Sequence, residues 1–463
     1  MYQKIAALVM AMLLGMGSVY AQAAQTETDA GQAAYASAIS AFAQRDYESA
    51  ASFLTEAMLL EPENILYRYE RGMIHQQTGN LSAAILDYSL VIALLDESVE
   101  IYAPRAHLFM AQNWYAQACR DLDHALEGGS PTENDYSVAA YARCMLGRQE
   151  EALTVLEKGL AQYPESIGMI ATRGIVHYQL GAFEAAVADY QAVLDAGVED
   201  HTIYYNMAES LFLLGRDEEA QRNAEKAVAM GGQSATKEAA PQKHAQLLTK
   251  EKLPSPEAQA QRIQEYKEEG LRFLREGQHM EALEQFLQAV MLVPDNAELY
   301  RLCAEASFLL GFYERAAECY AMVLSIAPDS TQAYEGIVNS VRAMKNTADE
   351  AILRGYLVFL NPENAQLRNN YAFALRMAMQ EERALKEYDK AIELDGSAAH
   401  YYGGRANLLL QMNRYEEAEA DYHHCLALDP DDTMAYNALQ ICLALQGKSS
   451  DINPEAFADM GVE

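Results

Sequence analysis

The sequence predicts an all-helical protein built from repeated helical hairpins, and three observations predict it. Small residues recur every 34 positions along most of the 463 residues, at two set places in each period. Glycines and prolines fall at constant offsets from them, where helices need to end. Ala, Leu, Glu and Tyr are plentiful while the 12 prolines lie mostly between helical patterns, so strong helix formers alternate with breakers.

The period is read in windows of 34 residues. Windows begin without a gap at 31, 65, 99, 133, 167 and 201, resume at 263, 297, 331, 365 and 399, and end in a half window at 433. The eighth place is Gly or Ala in ten of the eleven full windows, from Ala38 and Gly72 to Ala372 and Ala406, with Val338 the exception. The twentieth place is as regular, from Ala50 and Ala84 to Ala384 and Ala418, with Glu350 the exception. Two helices that cross closely need a small residue from each, because larger side chains hold the axes apart. Rings often fill the twenty-fourth place, as at Tyr88, Tyr190, Phe286, Tyr320, Tyr388 and Tyr422, and would plug the space around that crossing. Gly79, Gly147, Gly181, Gly215, Gly277, Gly311 and Gly447 fall where the first helix ends, the usual site of a left-handed cap. Pro62, Pro164, Pro294, Pro328, Pro362 and Pro430 follow the second helix and stop it. Each helix is then about 13 residues, or ~20 Å long.

This pattern resembles the tetratricopeptide repeat (TPR) family. The nearest matches are Leu214-Gly215-Arg216-Asp217-Glu218-Glu219-Ala220 and Asn413-Arg414-Tyr415-Glu416-Glu417-Ala418 followed by Leu428-Asp429-Pro430. The resemblance implies an all-α TPR solenoid, a right-handed superhelix of helix hairpins with a concave groove. Two arrays are expected: six repeats over 31–234 and five over 263–432. Two repeats depart from the pattern. Glu350 and Arg354 stand where small and large apolar residues belong, and Pro104 is expected to shorten the start of its helix. Both repeats are expected to be irregular.

The remaining segments read as accessories. Lys4, the uncharged apolar run from Ile5 to Gly17 and the small residues of Val19-Tyr20-Ala21-Gln22-Ala23 form the pattern of a secretory signal peptide over 1–23. The run is too short to span a membrane comfortably. Export to the periplasm is expected, with full secretion as the alternative. Residues 235–262 read as a locally basic linker in which 242–252 forms a helix capping the open end of the first array. A capping helix is expected over 433–447 and a loose tail over 448–463.

Function is bounded first by what is missing. With 34 Lys+Arg against 67 Asp+Glu the net charge is −33, which disfavours unaided binding of nucleic acid or anionic lipid. Nothing outside the windows is long enough to bury an enzyme core. There is no phosphate loop, no zinc-helix motif and no nucleophile turn. No cofactor or metal is expected: His423, His424 and Cys425 are adjacent on a helix and point in different directions. Of the six cysteines, Cys119 should lie level with Cys144 and Cys303 with Cys319, but buried core thiols are the simpler reading than disulfides. Trp114, at a turn, is expected to pack on its own hairpin.

The resemblance places the second, fifth, sixth, ninth and twelfth residues of each first helix on the concave side. In the first array these include Tyr35, Phe42, Tyr69, Met73, His107, Met110, Tyr141, Tyr178 and Tyr205, an aromatic and soft lining. In the second array they include Arg301, Asn339, Arg342, Asn369, Asn370, Arg376, Asn407 and Asn437. Asn offers both a donor and an acceptor, so a ladder of them can hold the backbone of an extended peptide. The arginines suit a carboxylate. The family's carboxylate clamp is not matched, since Leu271 stands where its Asn is needed. A scaffold or adaptor that binds a peptide or protein is expected, in envelope assembly or secretion. A chaperone-like holder of unfolded exported chains is the alternative.

Overall fold

The computed structural model describes residues 25–94, 99–248 and 256–448, so the expected signal peptide and nearly all of the expected tail lie outside the described residues. The described residues contain 24 helices and no strand. In the first register they are α1 (Gln25–Ala43), α2 (Tyr47–Leu60), α3 (Ile65–Thr78), α4 (Leu81–Leu94), α5 (Val99–Ala111), α6 (Tyr115–Gly128), α7 (Glu133–Met145), α8 (Gln149–Gln162), α9 (Ile167–Gln179), α10 (Phe183–Asp195), α11 (His201–Leu213) and α12 (Asp217–Ala229). A short α13 (Ala239–Leu248) follows. The second register holds α14 (Pro256–Arg275), α15 (His279–Leu292), α16 (Ala297–Leu309), α17 (Tyr313–Ile326), α18 (Thr331–Ala343), α19 (Thr347–Leu360), α20 (Ala365–Met377), α21 (Glu381–Leu394), α22 (Ala399–Gln411), α23 (Tyr415–Leu428) and α24 (Thr433–Leu445).

The small residues do what crossing helices require. Ala106, Ala140, Ala208 and Ala304 at the eighth place, and Ala118, Ala152, Ala220 and Ala316 at the twentieth, are wholly buried. The twenty-fourth ring lies against the eighth residue: a Cβ added at Gly174 would sit 2.7 Å from Tyr190, and one at Gly270 would collide with Phe286. Every first helix from α1 to α24 that precedes a tight turn ends in a left-handed residue at the fifteenth place. Gly79, Gly147, Gly181, Gly215, Gly277, Gly311 and Gly447 serve there as expected, while Arg45, Asn113, Lys345, Met379 and Asn413 adopt the same conformation without being glycine. The turn geometry is thus imposed by the hairpin packing, even on residues that pay a steric penalty for it.

The chain forms two compact units. One joins the residues up to Gly79 with those from Tyr334 onward; the other is Asn80–Ala333. These units cut across the two registers of windows because second helices of one register pack on second helices of the other. In the first unit α2 packs on α19. Leu54, Ala57 and Met58 share a core there with Ala351, Ile352 and Val358. Gly355 makes the approach possible, since a Cβ would stand 2.8 Å from Pro62 and 2.9 Å from Tyr371. Arg383 donates to the carbonyls of Leu59 and Leu60, which close the end of α2. In the second unit α4 packs on α17 and α6 on α15. Arg120 of α6 binds Asp295 and donates to the Ser325 carbonyl at 3.2 Å.

Two expectations are corrected. Pro104 does not shorten its helix: α5 starts at Val99 and runs through it. Only one backbone bond is lost, to the carbonyl of Glu100, within the first two turns. The repeat with Glu350 and Arg354 is not irregular either, because α19 is an unbroken 14-residue helix. Both side chains are buried in a charge cluster: Arg354 Nε donates to Glu350 at 3.0 Å, and Arg342 donates to the same carboxylate at 2.6 Å. Beside them Asp349 binds Arg71 at 2.6 Å. The charges that break the repeat pattern mark where α2, α3 and α19 meet. Burial pushes the Asp349 carboxyl up, but Arg71, with Arg68 and His75 further off, outweighs it and holds the group below the usual carboxylate range.

Two outcomes follow from this packing. Met379 is 71% exposed and left-handed, so Met379→Gly is expected to raise the stability of its hairpin by about 0.5–1 kcal/mol, net of the unfolded-state entropy of glycine, as read from the urea midpoint. Arg71→Ala is expected to lose about 3 kcal/mol at pH 7, because it leaves the largely covered Asp349 without its ion-pair partner. Since the folded Asp349 carboxyl titrates below its ordinary value, that contribution is present above the ordinary value and disappears as pH falls through the folded one. The gap between variant and wild type should therefore narrow on acidification below about pH 4.

Candidate functional site

Within each unit the first helices of successive hairpins touch, α5 with α7, α7 with α9, α9 with α11 in one unit, and α20 with α22 and α22 with α24 in the other. Their fifth, sixth, ninth and twelfth residues fall on one face.

In the Asn80–Ala333 unit this face carries an open cavity of about 340 Å³ lined by His107, Met110, Ser137, Val138, Tyr141 and Thr172. All six occupy those four places, and His107, Met110 and Tyr141 were anticipated from the register. His107 Nε2 lies 3.1 Å from the Asp135 carboxylate. Burial pushes the Asp135 carboxyl up, but His107 and the capping interaction with Thr132 outweigh it and hold the group low. Further along the same face Tyr178 and Tyr205 are covered by α13, which packs on α9 and α11. A capping helix packs instead on the last second helix, as α24 does on α23. The linker helix thus lies over the first-helix face and begins at Ala239.

In the other unit the anticipated asparagines follow the register. Asn339, Asn407 and Asn437 are exposed, and Asn369 and Asn370 are half-buried. Asn370 accepts from Gln366 at 2.9 Å, and Asn407 accepts from the Tyr422 hydroxyl at 2.9 Å. The side chains of Asn339, Asn369 and Asn437 have no hydrogen bond among the described residues. Arg376 lies 5.1 Å from the centroid of the Phe373 ring, and its buried Nε has no acceptor among the described residues. Arg342 is held by Glu350. Arg301 belongs to the Asn80–Ala333 unit and is paired with Glu305.

What orients the first helices is a set of ion pairs, one of them wholly buried, that the sequence reading passed over. Arg105 chelates Asp121 at 2.6 and 2.7 Å and donates to Ser89 at 2.8 Å, with neither ion-pair side chain exposed. Arg173 binds Asp189 at 2.6 Å and Arg405 binds Asp421 at 2.7 Å. Each pair joins the seventh and twenty-third places of one window, a spacing of 16 residues. Cys303 and Cys319 occupy the same two places in their window. The signal was present as a coincidence of Arg and Asp at a constant offset. Also passed over was Glu209, at the ninth place of α11, with Lys243 and His244 that meet this face from α13.

Trp114 stacks on Phe109 of its own hairpin at 5.7 Å, as expected, and Arg315 lies 5.4 Å from its ring centroid. His424 stacks on Tyr402. Among the described residues no three His, Cys, Asp or Glu side chains gather as a metal ion needs, and no helix is long and apolar enough to cross a membrane.

Two family profiles, both described as tetratricopeptide repeat, match residues 35–97, 172–235 and 267–331, and residues 399–432. The chain is a tetratricopeptide repeat protein. This TPR chain is similar to the N-terminal acetyltransferase A complex auxiliary subunit NAA15 of Arabidopsis thaliana, 26% identical over 200 residues, which are 40% of this chain and 22% of that one. It is also similar to the UDP-N-acetylglucosamine--peptide N-acetylglucosaminyltransferase of Giardia intestinalis, 28% identical over 127 residues, or 27% of this chain and 8% of that one. The chain therefore spans less than a quarter of either relative. Similar solved structures include MamA from Desulfovibrio magneticus RS-1, at 19% identity, 37% of this chain, 97% of that one and a TM-score of 0.33. YrrB, described as a TPR protein with an unusual peptide-binding site, has 16% identity, 38% and 91% coverage and a TM-score of 0.35.

The six cysteines of this TPR protein are buried thiols. Burial pushes Cys119 up to about 11 and Cys144 and Cys319 up to about 12. The folded protein at pH 8 is expected to take up almost no iodoacetamide, and all six thiols should label once it is unfolded in urea. Mass spectrometry reads the count; prompt labelling of the folded protein would contradict the thiol burial.

Proposed function

We propose that this TPR protein is an exported, non-enzymatic scaffold that holds an extended segment of a protein partner along the first-helix face of α18, α20, α22 and α24. The observation that carries the reading is the recurrence of Asn along one face, at the ninth place in Asn339 and Asn407 and at the fifth in Asn369 and Asn437, three of them without a hydrogen bond among the described residues. Each amide can donate to a carbonyl and accept from an N–H of a passing backbone, which gives affinity without selecting side chains. Arg376 supplies the one directional element. Its guanidinium is half-buried, and its outer nitrogens suit a carboxylate of the partner. Tetratricopeptide repeats bind peptides and proteins, which supports the coarse form of this proposal; the leader pattern over 1–23 supports export, with the periplasm as the destination. Envelope assembly or secretion is the setting that export suggests.

A second reading, a holder of unfolded exported chains, draws on the cavity formed by His107, Met110 and Tyr141, whose soft and aromatic lining accepts varied apolar side chains.

The test is a crosslinking pull-down from envelope extracts with the wild type and Asn369→Ala/Asn370→Ala/Arg376→Ala. The variant should lose at least about tenfold in recovery of one or two stoichiometric partners, the cost of removing several hydrogen bonds. Equal recovery would reject the asparagine face. Suppression of aggregation of many unrelated chains, unchanged in the variant, would favour the holder.

A further inference from the structure

The helix α13 has ten residues, stands outside both registers of windows, and lies on the face that the rest of its array leaves open. Three side chains seat it. Ala240 is wholly buried. The Lys243 ammonium is 2.7 Å from Glu209 Oε2 and 4.5 Å from the centroid of the Tyr205 ring. The His244 ring stands edge-on to Tyr178 at 5.5 Å and to Phe183 at 4.9 Å. On the receiving side Tyr205 donates to Glu209 Oε1 at 2.7 Å, so the carboxylate is held in position.

Two features distinguish this arrangement from ordinary core packing. Glu209 is 1% exposed and takes its compensating cation from Lys243, which belongs to the linker and not to the repeats. Without Lys243 the repeats would hold a buried carboxylate with no counter-charge, a strongly unfavourable state that only another cation relieves. His244 is 9% exposed, and its Nε2 has no partner among the described residues, so the imidazole fits the aromatic slot without being fully satisfied there. A slot evolved for this ring alone would be expected to close that bond.

We propose that Tyr178, Phe183, Tyr205 and Glu209 form a second recognition site, separate from the asparagine face, for a basic helical segment of a partner protein. The partner carries a lysine followed by a flat ring, and the linker helix occupies the site in cis until that segment displaces it. Lysine is specified by the carboxylate and the Tyr205 face together, since a cation over a ring and beside a buried acid gains from both. The ring is specified by two edge-on aromatics. The occupant is a different protein and not a second copy of this chain. A tethered segment competes at an effective concentration of about millimolar, so only a segment that binds more tightly than the linker displaces it, which an identical segment supplied by another copy does not do. The −33 charge of the chain speeds the approach of basic segments without selecting among them.

The probe is a fluorescein-labelled synthetic peptide of residues 236–248 of this chain, followed by anisotropy at physiological salt. The full-length variant Lys243→Ala/His244→Ala, checked for helical content, should bind it at least about tenfold more tightly than the wild type, because the tethered competitor is weakened. Adding Glu209→Gln to that variant, or making the Lys243→Ala/His244→Ala changes in the peptide, should each weaken binding at least about tenfold. An opened variant that binds no more tightly than wild type overturns the proposal. So does a substituted peptide that binds equally well, which would indicate general attraction to an acidic protein. Hydrogen exchange on the wild type keeps the test decisive if the variant misfolds. Amides of 239–248 should exchange faster than those of α9 and α11. Exchange as slow as in α11 would make α13 a fixed part of the fold and end the proposal. A dimer formed between the wild type, whose linker is intact, and the opened variant would assign the site to a second copy and overturn the choice of partner. None of these readouts involves Asn369, Asn370 or Arg376, so failure here leaves the asparagine face untouched.

Discussion

Everything in this molecule depends on helix axes approaching closely at one small residue from each partner. Where Gly174 meets Tyr190, or Gly270 meets Phe286, the missing side chain on one helix is the space that the ring on the other fills. Ridge-into-groove packing at short range leaves little freedom in the crossing angle. Once the crossing is set, the turn between the helices must close in few residues, which forces the fifteenth place into the left-handed region. Arg45, Lys345 and Met379 show the order of causation, since no local preference would put those residues there.

The same crossing decides what the outer and inner faces present. With both small residues consumed inside each hairpin, the remaining apolar surface of the second helices must be covered elsewhere. A solenoid in single file leaves that surface to solvent and to neighbouring repeats. Here α2 covers α19 in one unit, and α4 and α6 cover α17 and α15 in the other. Charged groups take part where the covering is closest, and they form ion pairs: Arg71 with Asp349, Arg354 with Glu350, Arg120 with Asp295. The first-helix faces stay available, and they differ. One is aromatic, has an open cavity and is partly covered by α13; the other is lined with amides.

The hairpins, their left-handed caps and the places that face the cavity were legible in the sequence because each depends on contacts within about one 34-residue period. His107, Met110 and Tyr141 were found that way. The contacts between registers were not legible. Their partners are hundreds of residues apart, as with Arg71 and Asp349 at a separation of 278, and no local periodicity encodes them. Glu350 and Arg354 were visible as anomalies, but their cause lay in a distant helix. Pro104 was misjudged for a different reason: a proline near the start of a helix removes only one internal bond, and the buried Arg105 beside it holds the helix in place. The linker helix was anticipated in kind but not in seat, because nothing local distinguishes a helix that caps an end from one that lies along a face.

The pairing of α4 with α17 and α6 with α15 runs in opposite chain directions, so each step forward in one register is matched by a step back in the other. Solenoids that stack in single file tolerate the gain or loss of a whole repeat by duplication. In this chain, an extra repeat between α4 and α6 would carry Arg120 away from Asp295 and the Ser325 carbonyl and leave it only Asp121 of its own helix. The fold therefore has a fixed count: lengthening on one side demands an equal insertion on the other, and its evolution is confined to substitutions or to paired duplications.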